Sequence, residues 1–223
     1  MHAHDAIMSR HSCRRFLDTP VPEDALARIL EGAGMAPSGH NIQPWRVYVV
    51  TGEAQKRVSD AVLKTAMTGG KEAQEEEYDY YPVEWFEPYK SRRRQIGYDL
   101  YASLGIERDD YDARTRQMLR NFLFFDAPLG LFITVSRRLS TGTFIDMGMF
   151  IENILIGARG EGLHTCGQVA WCPYHKVVRE VVGFPDDELL VCGVAIGYAD
   201  ADAPENKLRA QKADWREWTT FVE

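Results

Sequence analysis

Pro37-Ser38-Gly39-His40-Asn41-Ile42-Gln43-Pro44-Trp45, followed by Arg46-Val47-Tyr48-Val49-Val50-Thr51, is the stretch whose reading decides the fold. The first part is an irregular polar loop, and the second is a β-branched and aromatic run closed by Gly52, the composition of a strand. Upstream, Leu26, Ile29, Leu30 and Ala33 recur at helical spacing after Pro22, which suits a first helical position, and Gly34 ends that helix. Downstream, a second helix is expected from about Glu53. The pattern resumes after Asp126-Ala127-Pro128 with a strand over Gly130 to Val135 and a helix from Thr143 to Arg159 that is apolar almost all round and therefore expected to be buried. A short strand near Leu163 to Val169 follows, then a helix opened by Pro173 with Val177, Val178, Val181 and Val182 on its apolar side, then a strand from Leu189 to Tyr198. Helices alternating with strands, with no internal repeat or clean linker, predict one domain of α/β or α+β class.

Composition narrows the function. A chain of 223 residues, 45% of them hydrophobic, suffices for one core. Acidic residues outnumber basic ones by 33 to 26, and a net charge of -7 lacks the general attraction to phosphate backbones on which nucleic-acid binders depend. No apolar run approaches the roughly 20 residues of a membrane span. Met1-His2-Ala3-His4-Asp5 has no basic region leading into an apolar one, so the expected location is cytoplasmic. Cys13, Cys166, Cys172 and Cys192 form no CxxC pair and read as reduced thiols; with His164 and His175, Cys166 and Cys172 match no common zinc spacing, so no metal is expected. Gly32-x-Gly34 lacks a third glycine and follows its helix, which rules out a dinucleotide fingerprint there.

Two segments stand apart. From about 68 to 116 the chain carries Gly69-Gly70, Glu75-Glu76-Glu77, then Tyr78, Tyr80, Tyr81, Trp85, Phe86 and Tyr89, then Arg92-Arg93-Arg94, which reads as a lid, an arm gripping another subunit, or a solvated excursion. The tail from about 206 to 223 is basic at Lys207, Arg209, Lys212 and Arg216 and aromatic at Trp215, Trp218 and Phe221, and is expected to pack, across a partner for instance. Ser9-Arg10-His11-Ser12-Cys13-Arg14-Arg15-Phe16 gathers guanidinium and hydroxyl donors that can clamp a phosphate or form a solvated basic face.

Arg10, Ser12 and Arg14 reproduce the Arg-x-Ser-x-Arg/Lys pattern of FMN-dependent nitroreductases, and Pro37 to Trp45 resembles that family's Pro-Ser-x-x-Asn-x-Gln-Pro-Trp signature. Glu161 to Gln168 is similar to its third flavin-contacting loop, with Gly167 where relatives commonly carry proline, and Asn206-Lys207-Leu208-Arg209 with Lys212 is similar to its C-terminal basic element. Tyr89-x-x-Arg92-Arg93-Arg94 and Arg120-Asn121-Phe122-x-Phe124-Phe125-Asp126-Ala127-Pro128 look closest to a nitrobenzoate-reductase-like branch.

The resemblance implies an α+β fold with a central mixed, mainly antiparallel sheet flanked by helices, in an intertwined homodimer. It implies that Arg10, His11, Ser12 and Arg14 hold the phosphate and pyrimidine side of FMN, with Arg209 and Lys212 completing the phosphate clamp. Pro37, Ser38, Gly39 and Asn41 would reach the ring from the second subunit, Asn121 would contact the cofactor, and Gly167, Gln168 and Val169 would lie by the flavin N5. The implied activity is ping-pong: NADH or NADPH gives a hydride to the flavin, and a nitroaromatic, expected to be nitrobenzoate-like, then takes two electrons at the same place, with no obligatory catalytic side chain. Tyr81, Trp85, Phe86 and His40 are the expected substrate contacts, and Lys90, Arg92 to Arg94 or His40 could meet a substrate carboxylate. Reductive dehalogenation, quinone reduction and flavin binding without turnover are the competing readings.

Overall fold

The computed structural model describes residues 1–69 and 73–223, so Gly70 of the Gly69-Gly70 pair lies outside the described residues. Four strands, β1 (Trp45–Thr51), β2 (Leu129–Ser136), β3 (His164–Gln168) and β4 (Glu188–Gly197), form one sheet in the order β1-β2-β4-β3, and every neighbouring pair is antiparallel. A parallel pairing occurs as an isolated bridge from Ser12 to Thr165 in the edge strand β3. The helices are α1 (Ala3–Ser9), α2 (Glu23–Gly34), α3 (Gly52–Thr68), α4 (Tyr89–Ser103), α5 (Tyr111–Leu119), α6 (Thr143–Gly160), α7 (His175–Val182) and the one-turn α8 (Pro204–Lys207). Among the described residues no helix is long and apolar enough to cross a membrane.

Alternation along β2 gives the sheet two buried faces. Leu129, Leu131, Ile133 and Val135 point into a core with Ile29 and Ala33 of α2 and Met147, Phe150, Ile154 and Ala158 of α6. Phe132 points the other way, into a core with Val58 and Val62 of α3, Val178 of α7 and Trp171. Between Ile133 and Thr134 the register jumps from Cys192 to Leu190, leaving Val191 unpaired as a bulge, and Val191 and Cys192 both fall in the α2–α6 core. Trp171, fully buried in the short 3-10 turn Val169–Tyr174, packs against Phe122, Phe124 and Phe132 with ring centroids 5.3, 4.6 and 5.1 Å away. Gly193 makes room for it, because a Cβ there would stand 2.5 Å from Trp171 Cδ1. Pro173 lies inside that turn, which is why the helix expected to open at Pro173 opens at His175.

Two helices differ from what a one-chain core predicts. The all-round apolar α6 is buried on one face only, and its Ile145 is 71% exposed. Helix α4 has no buried residue. Within the 68–116 segment, Tyr78 instead packs against the core shared with α3 and α7, and its Oη donates to the Val191 carbonyl at 2.5 Å.

Candidate functional site

A cavity of about 570 Å³ brings the two basic elements together from opposite ends of the sequence: Arg10, His11, Ser12 and Arg14 line it with Leu208, Arg209 and Lys212. Backbone pairing holds them there. Cys13 N–H donates to the Thr165 carbonyl at 2.9 Å, tying the N-terminal segment to β3. Asn206, buried at the start of the tail, accepts from Arg14 N–H at 2.8 Å and donates through Nδ2 to the Arg15 carbonyl at 2.6 Å and the Asp200 carbonyl at 2.8 Å. Arg209 is held by its own backbone, Nη1 donating to the Asn206 carbonyl at 2.7 Å.

The cavity's charge is unbalanced. Among the described residues Glu152 is its one lining carboxylate, at 3.9 Å from Arg10 Nε, and no carboxylate oxygen lies within 4.0 Å of Arg14, Arg209 or Lys212. Beneath this cluster the His11 and His164 rings meet edge to face at 5.3 Å. Burial holds both imidazoles below their ordinary value, His164 at about 4, and nearby Arg159 and Arg209 push both the same way.

Gly167, Gln168 and Val169 open on two further cavities of about 380 and 410 Å³, which share Tyr78, Tyr80 and Tyr81 as a common wall. Asn121 lines the first of them, and Gln168 Nε2 donates to its carbonyl at 2.7 Å. Gly167 has nothing within 4 Å of the position a Cβ would take, so its open side faces free space. Of the expected substrate contacts, Tyr81 is brought here. Trp85 and Phe86 are not among the lining residues: Trp85 packs on Tyr81 at 5.4 Å with Arg93 over its ring, and Phe86 sits against Tyr89 at 5.1 Å.

The loop from Pro37 to Asn41 stands apart from the basic cavity in the same chain. Gly39 N–H donates to Asp146 Oδ1 at 3.2 Å near the start of α6, whereas Arg10 meets Glu152 and Ser9 meets Arg159. At about 1.5 Å per residue those α6 positions lie about 9 and about 20 Å further along the helix. His40, Asn41 and Gln43 have φ of 51°, 58° and 46°; asparagine tolerates this region, whereas for His40 and Gln43 it costs about 1–2 kcal/mol each. Strain of this kind persists where function needs a fixed shape, and Ser38 Oγ helps hold it by accepting from Gln43 N–H at 3.0 Å.

Sequence reading missed one cluster. Glu77 belongs to a run of three glutamates that reads as solvated, yet its side chain is 5% exposed and ion-paired to Arg137 and Arg179, with His175 Nδ1 2.9 Å away. Its Oε2 also accepts from Leu190 N–H at 3.3 Å, clamping the tyrosine wall onto β4. Burial pushes the Cys172 thiol behind that wall up to about 11, with Glu77 and Glu76 adding to the effect.

The sequence matches the Nitroreductase family over residues 7–198. It is 43% identical to a nitrobenzene nitroreductase of Ectopseudomonas oleovorans, over 98% of this chain and 96% of that one, and 41% identical to a 4-nitrobenzoate reductase of a Nocardioides species, over 91% and 83%. The fold superposes on the crystal structure of the FMN and NADPH-dependent nitroreductase NfnB from a Sphingopyxis strain with a TM-score of 0.96, at 40% identity and full coverage of both chains. Matched by the family model over residues 7–198 and by these relatives over nearly its whole length, the chain belongs to the nitroreductase family.

Proposed function

We propose that the protein is an FMN-dependent oxidoreductase that takes hydride from NADH or NADPH, reduces small nitroaromatic compounds, and works as a homodimer with shared active sites. The observation that carries this reading is the cavity in which Arg10, Arg14, Arg209 and Lys212 face a single carboxylate. That donor set fits a phosphate monoester, since charge-assisted N–H donors are what a dianion requires. Gln168 Oε1 and Thr165 Oγ1, buried without a hydrogen-bond partner in the protein, add polar atoms suited to a polar ring edge. FMN, once bound, supplies the two-electron chemistry that connects a nicotinamide to a nitro group.

The protein's own work is then positional. The guanidinium groups fix the phosphate, the open side of Gly167 leaves a planar ring free to approach the backbone, and the tyrosine wall stacks the substrate and keeps water out. Sharing of the site between two chains is supported by the distance from the Pro37–Asn41 loop to the basic cavity and by α4 having nothing buried. It is supported also by the exposure of Ile145, Trp218 and Phe221, at 71%, 70% and 77%. Four free, buried cysteines accord with a reducing cytoplasm.

The purified protein is expected to be yellow, to release FMN on denaturation, to bleach with NADPH and to recover its colour on addition of nitrobenzene; a colourless protein that takes up no FMN refutes the reading. Replacing Arg209 by Ala removes a charge-assisted donor worth about 1.5–3 kcal/mol, so the FMN dissociation constant should rise about 10- to 100-fold in a flavin-fluorescence titration. An unchanged constant would remove Arg209 from the phosphate clamp.

A further inference from the structure

Among the described residues, the two cavities that open on Gly167 to Val169 are lined by no Arg, Lys or His. Their charged lining is Glu76 and Glu77. Glu77 is compensated by Arg137, Arg179 and the Leu190 N–H, whereas Glu76 has no ion-pair partner within 4.0 Å among the described residues. A ligand seated here therefore meets tyrosine faces, the aliphatic surface of Val169, Val191 and Met147, and one uncompensated negative charge.

Of the cations named from the sequence as carboxylate partners, Arg92 to Arg94 are engaged elsewhere in the chain, and Lys90 and His40 are not among the lining residues. Arg92 pairs with Glu217 at 3.3 Å, Arg93 lies 4.9 Å over the Trp85 ring, and Arg94 lines a separate cleft between α4 and α5. An electron-poor nitroarene stacks favourably on a tyrosine face. A carboxylate entering the same place loses hydration without gaining a donor cation from the described lining of its own chain, and it faces a like charge.

We propose that this pocket selects uncharged nitroarenes over nitroarenes that carry a carboxylate, and that Glu76 is the residue that sets the preference. The inference rests on the nitroreductase reading and names its substrate class.

Methyl 4-nitrobenzoate and 4-nitrobenzoate test it: they differ in charge, and because the ester is also the more electron-poor ring, the change of their ratio in Glu76 variants and with salt carries the test. With FMN-loaded enzyme and saturating NADPH near neutral pH, kcat/KM for the ester should exceed that for the acid by roughly tenfold or more, equivalent to about 1.4 kcal/mol. Glu76→Gln should narrow the ratio by roughly threefold, Glu76→Lys should narrow it further, and added salt should narrow it in the wild type, since screening weakens exposed charges. Equal values for ester and acid in the wild type, or a ratio that neither variant changes, overturns the proposal. If no nitroarene is turned over, the nitroreductase reading has failed. The charge preference is then judged by titrating oxidised holoenzyme with benzoate and methyl benzoate and following the flavin absorbance: tighter binding of the ester upholds it, and equal dissociation constants overturn it.

Discussion

Replacing Glu77 by Gln removes the one negative charge at the centre of a buried cluster while keeping the side chain's shape. Arg179 is 16% exposed and would lose its buried ionic partner, retaining the exposed Asp186 carboxylate at 3.7 Å and a 3.2 Å bond to the Glu188 carbonyl; Arg137 is 34% exposed and would retain a 2.7 Å bond to the Asp186 carbonyl. Removing one member of a buried ion pair costs about 3–5 kcal/mol, because the other charge is left without compensation. The partial exposure of Arg137 and the surviving carbonyl bonds place this case near about 3 kcal/mol. For a chain of this size each kcal/mol lowers the melting temperature by about 2–4 °C, so the variant should melt about 6–12 °C below wild type by calorimetry or circular dichroism. Because Glu77 also clamps the tyrosine wall through Leu190 N–H, limited proteolysis should cut the variant faster near Tyr78 to Tyr81. The neighbouring pair of Glu75 with Lys176 is more than half exposed on both sides and is the internal control: Glu75→Gln should melt with the wild type. A Glu77→Gln melting temperature indistinguishable from that of Glu75→Gln would refute the view that burial makes this cluster different from a surface ion pair.

Acid should weaken the fold through His11 and His164. Burial lowers both imidazoles in the folded state, so the unfolded chain binds protons that the native chain refuses; stability is then full above the unfolded value of about 6.5 and falls as pH drops, down to about 4 for His164. Urea midpoints should therefore be lower at about pH 5 than at about pH 7.5, and equal midpoints would remove the two histidines from the account. Gly193→Ala should cost about 1–3 kcal/mol in the same urea assay, since its Cβ would stand 2.5 Å from a Trp171 ring held by three phenylalanines; an unchanged midpoint would mean that this aromatic core yields.

What could be read in the sequence, and what could not, divides along the range of the interactions involved. Strands β2 and β4 and helix α6 are long apolar runs, and burial on the faces of a sheet is a local demand that the residues themselves record. The bulge at Val191 leaves no such record, because it depends on how a partner strand is met. Glu77 shows the same limit at the level of charge. In the run Glu75-Glu76-Glu77 three identical side chains take different surroundings: one pairs with an exposed lysine, one has no ion-pair partner, and one is buried under groups from α7 and the end of β2. Composition assigns all three to solvent, and only the path of the chain separates them. The aromatic residues behave alike, since Tyr78, Tyr81, Trp85 and Phe86 are equivalent as hydrophobes, yet Tyr78 and Tyr81 reach the wall beside Gly167 and the other two do not. The basic cavity required a different kind of reading. Arg10 and Arg209 are separated by nearly the whole sequence, and their meeting rests on Asn206, a single polar side chain that bonds both segments. No periodicity announces such a residue; the resemblance of its neighbourhood to a family's C-terminal basic element pointed to that stretch, while the bonds by which Asn206 fastens it to the N-terminal segment could be found only in three dimensions.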